Sequence, residues 1–287
     1  MNFVCMHRWF VAVAVIVLVP VAPSPALAEC PCETQPSGFA GGDGTPGNPF
    51  QVCMPSHLDN VRNHMSSNFV QTADIDMSGF GNFTPIGSIG SQFLGRYDGS
   101  NFEIQNISII QPGSEDVGLF GVIGSEGVIT QIELANATVV GLARAAALVG
   151  LNFGTVSLSK AQAAVSNPVG NPGTNTAGGL VGMNSGNVTL CSSTGSVMGL
   201  FRVGGLVGEL SSGGVITNSY SRSSVSACPG GNVICGLVGI VRVSSTIENT
   251  YSTGEVLESS GKLFGGLIGI DQGGTIAASF WDVDTSG

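Results

Sequence analysis

The sequence predicts an all-β fold, a parallel β-helix in which successive coils stack on one another. Three observations predict it. A Gly-Leu-apolar-Gly tetrad, or a close copy, recurs six times: Gly118-Leu119-Phe120-Gly121, Ala147-Leu148-Val149-Gly150, Gly179-Leu180-Val181-Gly182, Gly205-Leu206-Val207-Gly208, Gly236-Leu237-Val238-Gly239 and Gly266-Leu267-Ile268-Gly269. The steps between copies are 29, 32, 26, 31 and 30 residues, a period that marks a stacked-repeat architecture. Two further apolar columns follow each tetrad. Ile129, Val156, Val188, Ile216, Ile247 and Ile276 form the second. Val139, Val165, Val197, Val225 and Val256 form the third, nine or ten residues behind their partners. Composition agrees. Charged residues make up 10% of the chain and Gly 44 of 287, which disfavours helices and suits short strands between tight turns. Enough Val, Ile and Leu remain to build a continuous core.

Three apolar columns per unit imply three strands wound around one interior. A single coil cannot bury its inner face, but stacked coils can, each strand bonding to its equivalents about 4.8 Å above and below. An antiparallel sandwich of short strands is the competing architecture, and it does not require the same spacing unit after unit. The six tetrad leucines, Leu119, Leu148, Leu180, Leu206, Leu237 and Leu267, are expected to stack in one interior column.

From the N-terminus, residues 1–28 read as a secretory signal peptide. His7 and Arg8 precede an apolar run from Trp9 to Val19, Pro20 breaks it, and Ala26-Leu27-Ala28 supplies a small-x-small cleavage site. A membrane-spanning helix needs about 20 apolar residues, roughly twice this run. No later segment is long and apolar enough to span, so an exported protein, secreted or at the cell surface, is expected. Past Ala28 there are nine minus one, or eight, Lys and Arg against nineteen Asp and Glu, a net charge near −11. Such an acidic surface excludes nucleic acid as a partner.

Residues 29–117 read as an N-terminal cap and first coils. Pro55-Ser56-His57-Leu58-Asp59-Asn60-Val61 reads as a helix start with Ser56 as N-cap, and Leu58, Val61 and Met65 at helical spacing. A solenoid needs such caps because a bare coil exposes sheet edges. Phe69–Ile75 belongs with this cap, and Phe280-Trp281 is placed to cover the last coil. Residues 118–287 form the repeat array. From the third-column Val to the next tetrad Leu the gaps are 15, 9, 12 and 11 residues, so length variation collects once per unit. The segments Ser166–Gly178, Ser226–Cys235 and Leu257–Gly265 are therefore expected on one edge. Variable loops on one face are often a binding face; tolerance of surface loops to length change explains the same pattern.

Six cysteines follow Ala28: Cys30, Cys32, Cys53, Cys191, Cys228 and Cys235. Cys228 and Cys235 flank the turn-forming Pro229-Gly230-Gly231-Asn232, and a disulfide closing that loop is expected. Cys53 can reach Cys30 or Cys32.

The motifs resemble the GLUG-repeat family of bacterial surface and secreted proteins. The tetrads carry the resemblance, with Asn218-Ser219-Tyr220-Ser221, Tyr251-Ser252-Thr253-Gly254-Glu255-Val256, the opening Phe39-Ala40-Gly41-Gly42-Asp43-Gly44-Thr45, Thr84-Pro85-Ile86-Gly87 and the closing Phe280-Trp281-Asp282. It covers the chain from about Phe39 onward. The resemblance implies a right-handed parallel β-helix in exported, adhesin-like proteins, some of which carry the array beside a zinc peptidase domain.

No catalytic set stands out. His57 and His64 lie seven apart on the cap helix without a His-Glu zinc-peptidase pattern, and read as surface residues. Asp74 with Asp76, Asp98, and Asp282 with Asp284 are the carboxylates best placed for calcium, but no Asp or Glu recurs at one position of successive coils. The expected function is a non-catalytic adhesin-like or spacer module, without metal or cofactor, whose partner is a host or cell-surface protein or glycan. The alternative is a carbohydrate-active β-helix, a polysaccharide lyase or calcium-dependent glycan binder, which needs acidic and basic residues clustered on one sheet.

Overall fold

The computed structural model describes residues 32–168, 175–228, 233–257 and 263–285. The expected signal peptide, residues 1–28, lies outside them. The described chain is a parallel β-solenoid of about seven turns with one short helix near its N-terminal end.

Among the described residues the strands form four sheets, not the three implied by the apolar columns. A nine-stranded sheet runs from Phe50–Val52 through Arg96–Asp98 to Thr275–Ala277 and carries the second apolar column. An eleven-stranded sheet carries the third, with Ile109, Val139, Val165, Val197, Val225 and Val256 in register. The tetrad region supplies two six-stranded sheets. One consists of the strands before each tetrad, from Asp116–Val117 to Leu263–Gly265. The other consists of the strands that leave it, from Phe120–Ile123 to Ile268–Asp271. The tetrad is thus a corner. Its leucine points inward: all six tetrad leucines join one buried cluster, five with no exposed surface and Leu267 with 6%. The glycines follow from crowding. A Cβ on Gly205 would run into the carbonyl oxygen of Gly236 in the next coil and the Ser221 hydroxyl.

A second corner follows the nine-stranded sheet. Gln131, Leu158, Leu190, Asn218, Asn249 and Ala278 stand there with φ between 46° and 55°. Asn218 and Asn249, which repeat in the sequence, are there because Asn adopts the left-handed conformation at less cost than other non-glycine residues. One step on, Ser159, Cys191, Ser219, Thr250 and Ser279 occupy equivalent places. The Ser219 hydroxyl donates to the Thr217 carbonyl and accepts from the Cys191 amide, and the Cys191 thiol donates to the Thr189 carbonyl. Cys191 replaces a serine in a polar ladder, and burial pushes its thiol up to about 12.

The cap helix spans Pro55–Asn60 and continues as a 3-10 turn, Val61–Asn63. Its N-cap is Met54, not Ser56: Pro55, with φ already near the helical value, takes the first helical position, so the helix begins two residues earlier. Leu58 and Val61 are buried as expected. Phe69 lies on Asn68–Gln71, a strand of the nine-stranded sheet paired with Phe50–Val52, so cap and coils share one sheet. At the other end Trp281 continues the column Ser193, Ser221 and Ser252 and lies against Gly266, covering part of the last coil.

The expected Cys228–Cys235 bridge is not formed. Cys235 ends the strand Val233–Cys235, at the place held by Gly178, Gly204 and Gly265 in other coils. Its sulfur packs toward Gly265 and Gly269 of the following coil. Burial raises its thiol above the ordinary range. The disulfide that is formed joins Cys32 and Cys53.

Candidate functional site

The described ends of the three variable segments lie at one edge, between the eleven-stranded sheet and the strands that precede the tetrads. Residues 169–174, 229–232 and 258–262, their central parts, are outside the described residues. The feet of the first are held by buried amides. Asn167 Nδ2 donates to the Ala143 and Thr176 carbonyls (2.8 and 3.1 Å), and its Oδ1 accepts from Asn175 Nδ2 (2.6 Å). These bonds fix where the segment leaves the solenoid.

Beside this edge lies a face that the repeat pattern did not single out. Ile110, Val140, Ser166, Met198, Ser226 and Leu257 are in register along the eleven-stranded sheet and point outward. Ile110, Met198 and Leu257 are 38%, 39% and 45% exposed. Two residues along each strand runs a second outward column: Ser108, Thr138, Ala164, Ser196 and Ser224. The first column contains no charge; the second is uncharged as far as Ser224, and its next place, beside Val256, is the exposed Glu255. At about 4.8 Å per coil the first spans roughly 24 Å. The signal was present in the sequence, one residue after each third-column apolar residue, but period-two alternation gives the outward residues no constraint to reveal them.

A third outward column on the same sheet changes character along its length. Glu133 pairs with Lys160 at 3.3 Å, and farther on Tyr220, Tyr251 and Phe280 stack with centroids 4.8 and 5.9 Å apart and planes within 8°. Arg222 lies over the Tyr220 ring at 5.2 Å. Stacking occupies the ring faces between neighbours, so this ladder reinforces the coils.

The candidate carboxylates are engaged in local hydrogen bonds. Asp74 accepts from the Glu103 amide, and Asp76 from the Ser78 amide and from Asn106, which in turn accepts from Asn136. Asn106 and Asn136, both in glycosylation-type sequons, are thus rungs of a turn ladder. Asp98 accepts from Ser100, Gln131 and Arg96, and Asp282 from the Asp284 amide. These contacts stabilise turns and bring no two of the candidate pairs together around one point. A buried charge cluster is structural: Glu209, 4% exposed, accepts from Arg202 of its own coil at 2.7 Å and from Arg242 of the next at 2.8 Å.

His57 departs from expectation. It is fully buried, because the cap helix turns it toward the Cys32–Cys53 bridge and not toward solvent. Its Nδ1 lies 3.6 Å from Cys53 Sγ and its Nε2 2.9 Å from Thr34 Oγ1. Desolvation lowers its pKa and favours the neutral ring. His64 is half-buried, edge-on to Phe39 and Phe50.

No family model matches the chain. It is similar to a "Putative Gly-rich membrane protein" of Evansella cellulosilytica, with 35% identity over 130 residues covering 42% of this chain and 15% of that protein. It is also similar to Halomucin of Haloquadratum walsbyi, with 32% identity over 200 residues covering 64% of this chain and 2% of that protein. The chain therefore matches only a small part of these relatives' length. Among solved structures it resembles a "putative immunoglobulin A1 protease" from Bacteroides ovatus, with a TM-score of 0.57, 16% identity, and coverage of 84% of this chain and 87% of that one. At that identity the likeness shows the fold alone. The chain is a β-solenoid with distant similarity to a Gly-rich membrane protein and to halomucin, and among its described residues no helix is long and apolar enough to cross a membrane.

Proposed function

We propose that this chain is a non-catalytic, adhesin-like solenoid of the cell surface or exterior, as its GLUG-like repeats suggest. It attaches through the outer face of the eleven-stranded sheet and the loop-bearing edge beside it. The observation that supports this reading is the coincidence of two outward columns, uncharged apart from Glu255 at the end of one, with the edge where length variation collects. Inward residues are committed to the core and corner residues to stacking, so specialisation is left to this face. Contacts there use small polar groups, backbone and a few apolar side chains, chemistry suited to a neutral glycan or an uncharged protein surface. Each contact is weak, and attachment depends on several coils or copies acting together.

The test is a glycan-array and cell-binding assay on residues 29–287. Met198→Asp with Leu257→Asp, and separately replacement of residues 169–174, 229–232 and 258–262 alone by short Gly-Ser turns, are expected to abolish attachment and leave the β-sheet circular dichroism intact. If both variants attach normally, the face is not the contact surface and the solenoid serves as a spacer.

A further inference from the structure

The geometry points to a redox-gated metal site in the N-terminal cap: on reduction of the Cys32–Cys53 bridge, the two sulfurs and His57 Nδ1 take up one zinc-class divalent ion. The three ligand atoms already lie within 4.8 Å of one another. Zinc–sulfur and zinc–nitrogen bonds of about 2.3 and 2.0–2.1 Å give a tetrahedral sulfur–nitrogen edge of about 3.6 Å. Cys53 Sγ and His57 Nδ1 stand at that separation now. Only the two sulfurs need to part. Cys53 and His57 are buried, whereas Cys32 is exposed, so Cys32 is the ligand free to move. The second nitrogen of His57 is held by Thr34, the outer contact that orients a metal-bound imidazole. A fully buried imidazole whose Nδ1 faces only a sulfur is otherwise a costly way to fill a cap.

The steps balance. A dithiol reductant delivers two electrons and two protons, the S–S bond breaks, and two thiols form while the reductant becomes a disulfide. The ion then displaces the two thiol protons, and neutral His57 binds without losing one. Water at the exposed Cys32 side fills the fourth position. In an oxidising setting the bridge closes the site, so the ion enters only where dithiols prevail, and metal and disulfide alternate as the clamp on the cap.

The experiment titrates cobalt(II), then zinc, into the chain with and without prior dithiol reduction. It reads thiolate-to-cobalt charge-transfer absorption, stoichiometry by native mass spectrometry, and thermal midpoint. Expected are one ion per reduced chain, none per oxidised chain, and at least tenfold weaker uptake in Cys53→Ser and in His57→Gln. Thr34→Val should weaken binding about tenfold as a positioning change, and Cys191→Ser should not affect it. If reduction loosens the cap, zinc should restore the midpoint of the oxidised protein. Failure of the reduced chain to bind or to regain its midpoint overturns the proposal, as does uptake unchanged in Cys53→Ser or His57→Gln.

Discussion

In the first coils the inward column of the nine-stranded sheet is aromatic, Phe50, Phe69 and Tyr97; from Ile129 to Ile276 it is Ile or Val. The aromatic end is closed. Phe39 stacks on Phe50 at 4.4 Å, the Cys32–Cys53 bridge and the short helix lie over it, and Phe69 and Tyr97 are buried. The last described coil is covered only in part, by Trp281. Ile276, Phe280 and Val283 are 39%, 62% and 66% exposed, and the strands there are outermost in their sheets. The difference teaches what a solenoid coil relies on. A middle coil is buried by two neighbours, so uniform aliphatic rungs suffice. A coil with one neighbour needs something else on its free side, and at the N-terminal end bulky rings, a cross-link and a helix supply it.

The comparison yields predictions, beginning with the largest effect. Phe69→Ala should cost about 3–5 kcal/mol, since the ring packs between Phe39, Phe50, Phe93 and Tyr97. Phe280→Ala at the partly covered end should cost well under 1. Repeat arrays need not unfold in one step, so hydrogen exchange resolved along the chain is the measurement. Similar losses at both ends would dissolve the contrast. In the middle, Leu180→Ala should cost about 2–5 kcal/mol and Leu267→Ala clearly less, because no described coil packs beyond Leu267. Denaturant titration of the pair would decide it, and equal costs would mean the last coil is as well supported as the rest.

Removing the bridge by Cys32→Ser with Cys53→Ser should cost about 3 kcal/mol by the chain-entropy relation for a loop near twenty residues. The loss should appear as faster exchange in the closed end and leave the amides of 238–271 unchanged. Acid should act at the same end. The folded pKa of His57 lies below the ordinary 6.5, so the unfolded chain binds the proton more readily. Its stabilising contribution is full above the ordinary value and declines as pH falls through 6.5 toward the lowered folded value. Melting of the closed end between pH 8 and 5 should show the decline, and His57→Gln should flatten it. The smallest effect is a gain. Leu190, 54% exposed with φ 55°, stands where the next two coils place Asn218 and Asn249, and Leu190→Asn should stabilise by a few tenths to about 1 kcal/mol. An unchanged or lowered thermal midpoint would mean the left-handed corner carries no strain.

By itself the sequence determined the parallel solenoid, the interior leucine column and the edge on which length variation falls. Each is legible because stacking forces the same residue type back to the same place once per coil, and periodicity survives any change of surface. The position of Asn218 and Asn249 was legible as a repeat, though its cause, a left-handed corner, was not. Tertiary structure decided the rest. The tetrad divides two sheets, since backbone direction at a glycine corner leaves no trace in hydropathy. Cys235 points into the next coil and Cys191 stands in for a serine, because a thiol's partner is set by neighbours about thirty residues away. His57 is buried against the disulfide because Cys53 and Thr34 come to its ring from outside the helix, contacts that helical spacing does not reveal. The candidate contact face became visible only when outward residues from six coils were brought side by side. Nothing in the core requires them to match, so only coordinates could assemble them.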